Sequence, residues 1–456
     1  MRKLLFAVSL MLIVSLSLVN EAKAQATSIM VYSSARMDDF DPAALLKGDA
    51  KQIPGMALIQ QRRTFELKEG DTTIQLVGIP PTADFSTLSL RPATADAFKV
   101  LSQSLIAPAV DPDSMLRRAI GHEIIINRKA PPIADHGRTP ETINAKLLSF
   151  DQHQLVVETS NRQLPVQIIP RPGDIAEIKL MADSAPATRA TVSAQLSSSK
   201  EGQQEGILSY QTPGMTWHAD HELLLSEDET KAHLASTITL VNRTGTAFDD
   251  ARVHLSWSRT TSKEIYPLPQ PIALAADAAQ RVALLDAAEV SCQTVLACTP
   301  SDYSRIPTLV CTYLAIENSS KNHLGRALPA GHVRLIKQSA DAAPTLLAEE
   351  PLFNVAIDDL ILVRLGQPSG VSVKREIIER LDTERAVTDQ TIQMKLRNRT
   401  NQPQKILLAE PRPSDASQII QKSDDYQSQS RSILFRIDLP ANDEKTITYT
   451  VRRPAQ

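Results

Sequence analysis

Short runs of alternating or β-branched residues recur along the chain at intervals of about 8 to 15 residues, broken by Gly, Pro, Asn and Asp clusters. That cadence predicts an all-β fold. The stretch GMALIQQRRTFELKEGDTTIQLVGIPP reads as a strand, a turn at Lys68-Glu69-Gly70-Asp71, a second strand and a proline stop. STLSLRP and AFKVLSQSLI continue the pattern. The closing KTITYTVRR puts Ile447, Tyr449 and Val451 on one face and threonines on the other, as in a half-buried strand. At 456 residues the chain is too long for one core, and with aromatics at 4% its cores must be built from Val, Ile, Leu and Ala.

The order of these runs predicts a multi-domain protein. Residues 1–24 read as a signal peptide, 25–110 as an N-terminal β domain with an inserted loop at 35–54, 111–172 as a small barrel, and 173–456 as a β-sandwich region. The barrel expectation rests on a short helix, capped by Asp111 and opened by Pro112, followed by EIIINR, INAKLLSF, QLVVETS and LPVQIIP; a helix before small strands suggests an SH3-like or Sm-like barrel. Beyond it, STITLVNRTGTAFDDARVHLSW and DQTIQMKLRNRTNQPQKILLAEP each run a strand into Asn-Arg-Thr and return as another strand. Two hairpins built alike suggest two related sandwich halves. Between them, ALAADAAQRVALLDAAEV fits a helix by its alanines and a strand by Val282, Leu284, Leu285 and Val290, and both alternatives stay open.

The opening MRKLLFAVSLMLIVSLSLVNEAKAQA carries two basic residues, a short apolar run and Ala22-Lys23-Ala24, the form of a secretory signal cleaved near Ala24. No cysteine stands at that point to accept a lipid, so the mature chain is expected in the periplasm or the medium. No later apolar run approaches the roughly 20 residues of a spanning helix. Without the three basic and one acidic residues of the signal, 46 Lys plus Arg face 51 Asp plus Glu, a net charge of −5. Nucleic acid is not an expected partner at that balance.

Candidate chemistry is sparse. In TWHADHELLL, strand alternation sets His218 and Asp220 on one face with Glu222, and Trp217 and His221 on the other, so the two histidines do not meet on one metal without a bend. His218, Asp220 and His221 are nonetheless the only plausible nucleus for a metal or catalytic site. The remaining histidines, His332 among them, are scattered singly, and no nucleophile elbow, phosphate loop or dinucleotide fingerprint occurs, so no catalytic residue, metal or cofactor is expected. The three cysteines of an exported chain imply one bridge and one thiol. Cys292 and Cys298 flank a five-residue loop and are expected to pair, with Cys311 reduced and buried in the strand-like TLVCTYLAI; zinc is the alternative, but lacks a nearby fourth ligand at finger spacing.

GILSYQTPGMTWHADHELLL, ITLVNRTGTAFDDARVHL, GRALPAGHVRL, LRNRTNQP and the closing ITYTVRR occur in the order of a large bacterial family. From about residue 54 onward the chain resembles domain of unknown function 4139, also found in mucoidy-inhibitor-like proteins. The resemblance implies an exported, all-β, multi-domain protein without established activity, with Gly214, Trp217, Asn242, Gly245 and Asn398 as structural motif residues. It also implies that SIMVYSS runs almost directly into GMALIQQR, whereas ARMDDFDPAALLKGDAKQIP intervenes here; that a long spacer follows LSW, which is missing; and that an aromatic stands where this chain has His221. Together these features imply a non-enzymatic envelope scaffold that binds an unidentified protein. The alternatives are a metal-dependent hydrolase of envelope polymers and a lipid- or glycan-binding module.

Overall fold

The computed structural model describes residues 21–454 apart from 23, 36–38, 107–110, 130–141, 172–174, 181–190, 258–263, 300–306, 339–342, 384–386 and 413–416. Most of the signal segment lies outside the described residues. The chain is 67% strand and 6% helical, in several sheets, which establishes the all-β class. Glu21–Ala22 pairs in parallel with Gly70–Leu76, so cleavage after Ala24 would remove that edge strand. No helix among the described residues is long and apolar enough to cross a membrane.

A seven-stranded sheet forms the N-terminal half. Its main path runs Tyr266–Pro267, Phe248–Ser256, Ala24–Ser33, Gly55–Leu67, Gly202–Pro213, Asp84–Pro92. A four-stranded sheet of Glu21–Ala22, Gly70–Leu76, Thr191–Ser198 and Lys99–Ile106 packs with it around Ile29, Ile59, Phe65, Ile74, Leu196 and Trp217. The N-terminal domain is therefore not the contiguous segment 25–110. It takes strands from residues 191–213 and 248–256 as well, because its inner strands need partners on both edges to satisfy their backbone groups.

The small domain is an insertion. Lys99–Ile106 and Thr191–Ser198 are adjacent antiparallel strands, with Ile106 opposite Thr191, and the chain between them builds a separate five-stranded sheet. Asp111 caps the helix Pro112–Ala119 by accepting from the Ser114 amide at 2.8 Å, and Leu116 and Ala119 enter a core with Ile124, Leu147 and Val157. The sheet order is Val166–Pro170, Gln154–Thr159, Thr142–Phe150, Glu123–Arg128, Ile175–Leu180, so the domain passes the expected boundary at 172 and ends no earlier than Leu180. The expected SH3-like or Sm-like barrel is a five-stranded sheet that does not close among the described residues: its two outer strands do not pair with each other, and Pro165 and Pro170, which lack N–H groups, bracket one of them.

The segment 35–54 is an excursion between paired strands, since Ser33 stands opposite Gly55 and the Ser34 amide donates to Pro54 O at 3.0 Å. Asp41 caps its short helix Pro42–Lys47, and Arg243 donates to Gly48 O at 3.2 Å.

The C-terminal half is a thirteen-stranded assembly. The undecided alanine-rich segment is the strand Ala278–Cys298, paired with Lys231–Asn242 along most of its length. Alanine's helix preference of about 0.5 kcal/mol per residue over β-branched types gives way to a continuous ladder. The two Asn-Arg-Thr hairpins turn on the same device. Asn242 donates to Thr246 O and Ala275 O, both at 2.9 Å, and accepts from the Thr244 amide and hydroxyl. Asn398 donates to Gln402 O and Pro440 O, both at 2.8 Å, and accepts from the Thr400 amide and hydroxyl. Trp217 Nε1 donates to Val31 O at 3.2 Å and Ser256 O at 3.1 Å, tying the two halves together. Gly214, at φ +92, lies where an added Cβ would meet the Arg243 backbone at 3.2 Å, and Gly245 sits in the turn after Asn242.

Replacing Asn398 by Ala removes three donated bonds, to Gln402 O, Leu439 O and Pro440 O, and two accepted ones at a buried corner. It is expected to lower stability by about 2–4 kcal/mol, read as a shift of the denaturant midpoint, and Asn398→Asp, which keeps only the acceptor, should fall between.

Candidate functional site

The strand Met215–Leu225 pairs antiparallel with Lys231–Asn242 and, on its other edge, in parallel with Gly331–Lys337. Alternation sends Trp217, Ala219 and His221 into one face and Thr216, His218, Asp220 and Glu222 to the other. The register places His332 directly opposite Asp220. The close approach depends on Gly331, where a Cβ would lie 2.1 Å from Ala219 O, so any side chain would push the neighbouring strand away.

His221 is a core residue. Pro329 O, 3.0 Å from Nε2, can only accept, so Nε2 carries the proton and Nδ1 accepts from the Ser236 hydroxyl at 2.8 Å. Complete burial pulls its pKa down to about 4, holding the ring neutral. Of the three residues singled out from sequence, only His218 and Asp220 come together, and His221 is excluded by facing the other way.

His218 is buried, and its surroundings are of two kinds. The Phe40 ring, from the 35–54 excursion, stacks on it at 5.0 Å and 20°. On its other side stand Asp220, with Oδ1 3.8 Å from Nε2, and the His332 ring at 5.0 Å between centroids. Burial holds the His218 imidazole below its ordinary pKa, with Asp220 opposing that shift and His332 adding to it. Beneath, Thr216 donates to Pro54 O at 3.0 Å and shares a 2.9 Å hydrogen bond with Ser33, fixing the base of the excursion to the same strand face. Asp220 and His332 are half-buried, so the group opens to solvent on one side. Its chemistry is that of ligands, two imidazoles and a carboxylate, rather than of a nucleophile.

His332 was the residue missed. Within GRALPAGHVRL it looks like an isolated histidine, and only the glycine before it hints at a close strand approach.

The expected Cys292–Cys298 bridge is contradicted. Both cysteines lie on the one strand Ala278–Cys298, where six residues of extended chain separate their Cα atoms by about 20 Å, against the roughly 7 Å limit of a disulfide. All three thiols are free. Cys311 is buried in the strand Thr308–Glu317, and Arg364 donates to its sulfur at 3.2 Å.

No family model and no curated protein matches this chain.

Burial pushes the Cys292 thiol up to about 11 and Cys298 up to about 12, so little thiolate is present at neutral pH. Native protein is expected to resist alkylation at pH 8 and to take up three labels on unfolding without reductant. A chain that needs reductant to reach three labels would restore a disulfide.

Proposed function

We propose that the chain is an exported, non-enzymatic scaffold of the cell envelope that holds another protein against its β framework. The observation that carries this reading is the open edge of the inserted sheet. Val166–Pro170 pairs only with Gln154–Thr159 among the described strands, and Leu164, Val166 and Ile168 are 62%, 53% and 63% exposed. Edge strands of proteins that stand alone are usually blunted by charge, a bulge or proline; here prolines stand only at the two ends, and the aliphatic row between them favours the addition of a partner's strand. The signal-like first 24 residues, the acidic balance and the resemblance to domain of unknown function 4139 support an envelope location.

A second reading, a metal-dependent hydrolase acting on envelope polymers, is favoured by the pairing of His218 with Asp220 and His332 and by Glu222 on the same strand face. It requires that Glu222→Gln abolish turnover of a polymer which the wild-type chain degrades.

The scaffold reading is tested with Val166→Lys/Ile168→Lys. Both positions are exposed, so stability should change by no more than about 0.5 kcal/mol, while a protein cross-linked to the wild-type chain in the envelope should be lost from the variant. The same cross-linked species on the variant would overturn the reading. A cross-linked species of twice the chain mass would replace it with self-assembly.

A further inference from the structure

His218 is 3% exposed, yet neither of its ring nitrogens has a hydrogen-bond partner among the described residues. Leaving a buried polar atom unpaired costs about 1–3 kcal/mol, and native structures rarely tolerate it without a reason. The polar groups around this imidazole stand outside hydrogen-bond distance of it. They are the Asp220 carboxylate and the His332 imidazole, and one ligand atom from each of the three residues lies within 4.8 Å of the other two.

We propose that His218, Asp220 and His332 bind one divalent transition-metal ion of the zinc class, with solvent completing the coordination. A tetrahedral ion held at 2.0–2.1 Å brings its ligand atoms to about 3.3 Å from one another, so closure needs an inward movement on the order of 1 Å. Asp220 and His332, both half-buried, have room for that adjustment, while His218 is fixed. The donor set determines the ion class. Two imidazoles and one carboxylate suit zinc and its neighbours, whereas calcium and magnesium require an oxygen shell and copper(I) favours sulfur. A ligating histidine is commonly oriented by a hydrogen bond from its second nitrogen. Here the stacked Phe40 ring performs that orientation, and it reaches the site from the 35–54 excursion. With three protein ligands and an open side, the arrangement has the form of a centre that keeps a coordination position for water or another ligand.

Metal binding does not rest on the scaffold reading, since the three residues belong to a different sheet from the free edge at Val166–Pro170.

The test uses the full exported chain, stripped with chelator and titrated with zinc sulfate by calorimetry, with cobalt(II) absorbance as a second measurement. One ion per chain is expected, with visible cobalt bands of low-coordinate geometry. His332→Ala and Asp220→Asn should each weaken zinc binding at least about 100-fold, because even an outer-shell partner is worth 10–100-fold. His254→Ala, on a strand of another sheet, should bind as the wild type does. Should the buried His218→Ala variant fail to fold, the two half-buried variants still decide the matter. Unchanged zinc affinity in His332→Ala, or no saturable uptake by the wild-type chain, overturns the proposal.

Discussion

A long strand is held where its N–H and C=O groups meet a neighbouring strand, and Ala278–Cys298 finds neighbours for its two parts by changing partners midway. Through Ser291 it pairs with Lys231–Asn242, and from Cys292 onward with Thr308–Glu317. At the hand-over the side-chain amide of Asn322 takes both backbone groups of Ser291, accepting from its N–H at 2.6 Å and donating to its C=O at 3.1 Å. The 21 residues of this strand reach about 70 Å. Because one strand serves both ladders, the register of the first is transmitted to the second, and a one-residue slip would turn both sets of apolar side chains outward.

Strand alternation was legible wherever one face is buried and the other wet. Ile447, Tyr449 and Val451 occupy the core as the sequence pattern required, and the repeated Asn-Arg-Thr turns announced corners that share one bonding scheme. What local pattern does not encode is which distant strand comes alongside. Asp220 and His332 meet through a parallel pairing between strands far apart in the chain, so two of the three ligands, His218 and Asp220, were readable as a same-face pair and His332 was not. The cysteines failed for the opposite reason. Their short spacing suggested a loop, whereas the ladder keeps that stretch extended and carries the two sulfurs apart. The inserted domain hid its boundaries because the strands flanking it read as consecutive strands of one sheet.

The excursion at 35–54 joins these observations. Clamped by Thr216 and Arg243, it lays Phe40 against His218, so a segment that leaves and rejoins two paired strands is also a wall of the histidine site. A rigid β framework tolerates such an addition readily, since loop closure entropy grows slowly with length. The framework supplies His218, Asp220 and His332 from paired strands, and the addition supplies the apolar cover.

The inserted sheet hangs from the two neighbouring strands Lys99–Ile106 and Thr191–Ser198, with Ile106 and Thr191 opposite each other in the ladder. Its two chain connections therefore leave the host side by side, a strand spacing of about 4.8 Å apart. A short turn would close the host sheet in its absence, and another domain whose ends lie equally close would fit in its place. In genetic terms the module is a cassette: recombination at one hairpin could add, remove or exchange it, altering the surface the chain presents while the host core stays intact.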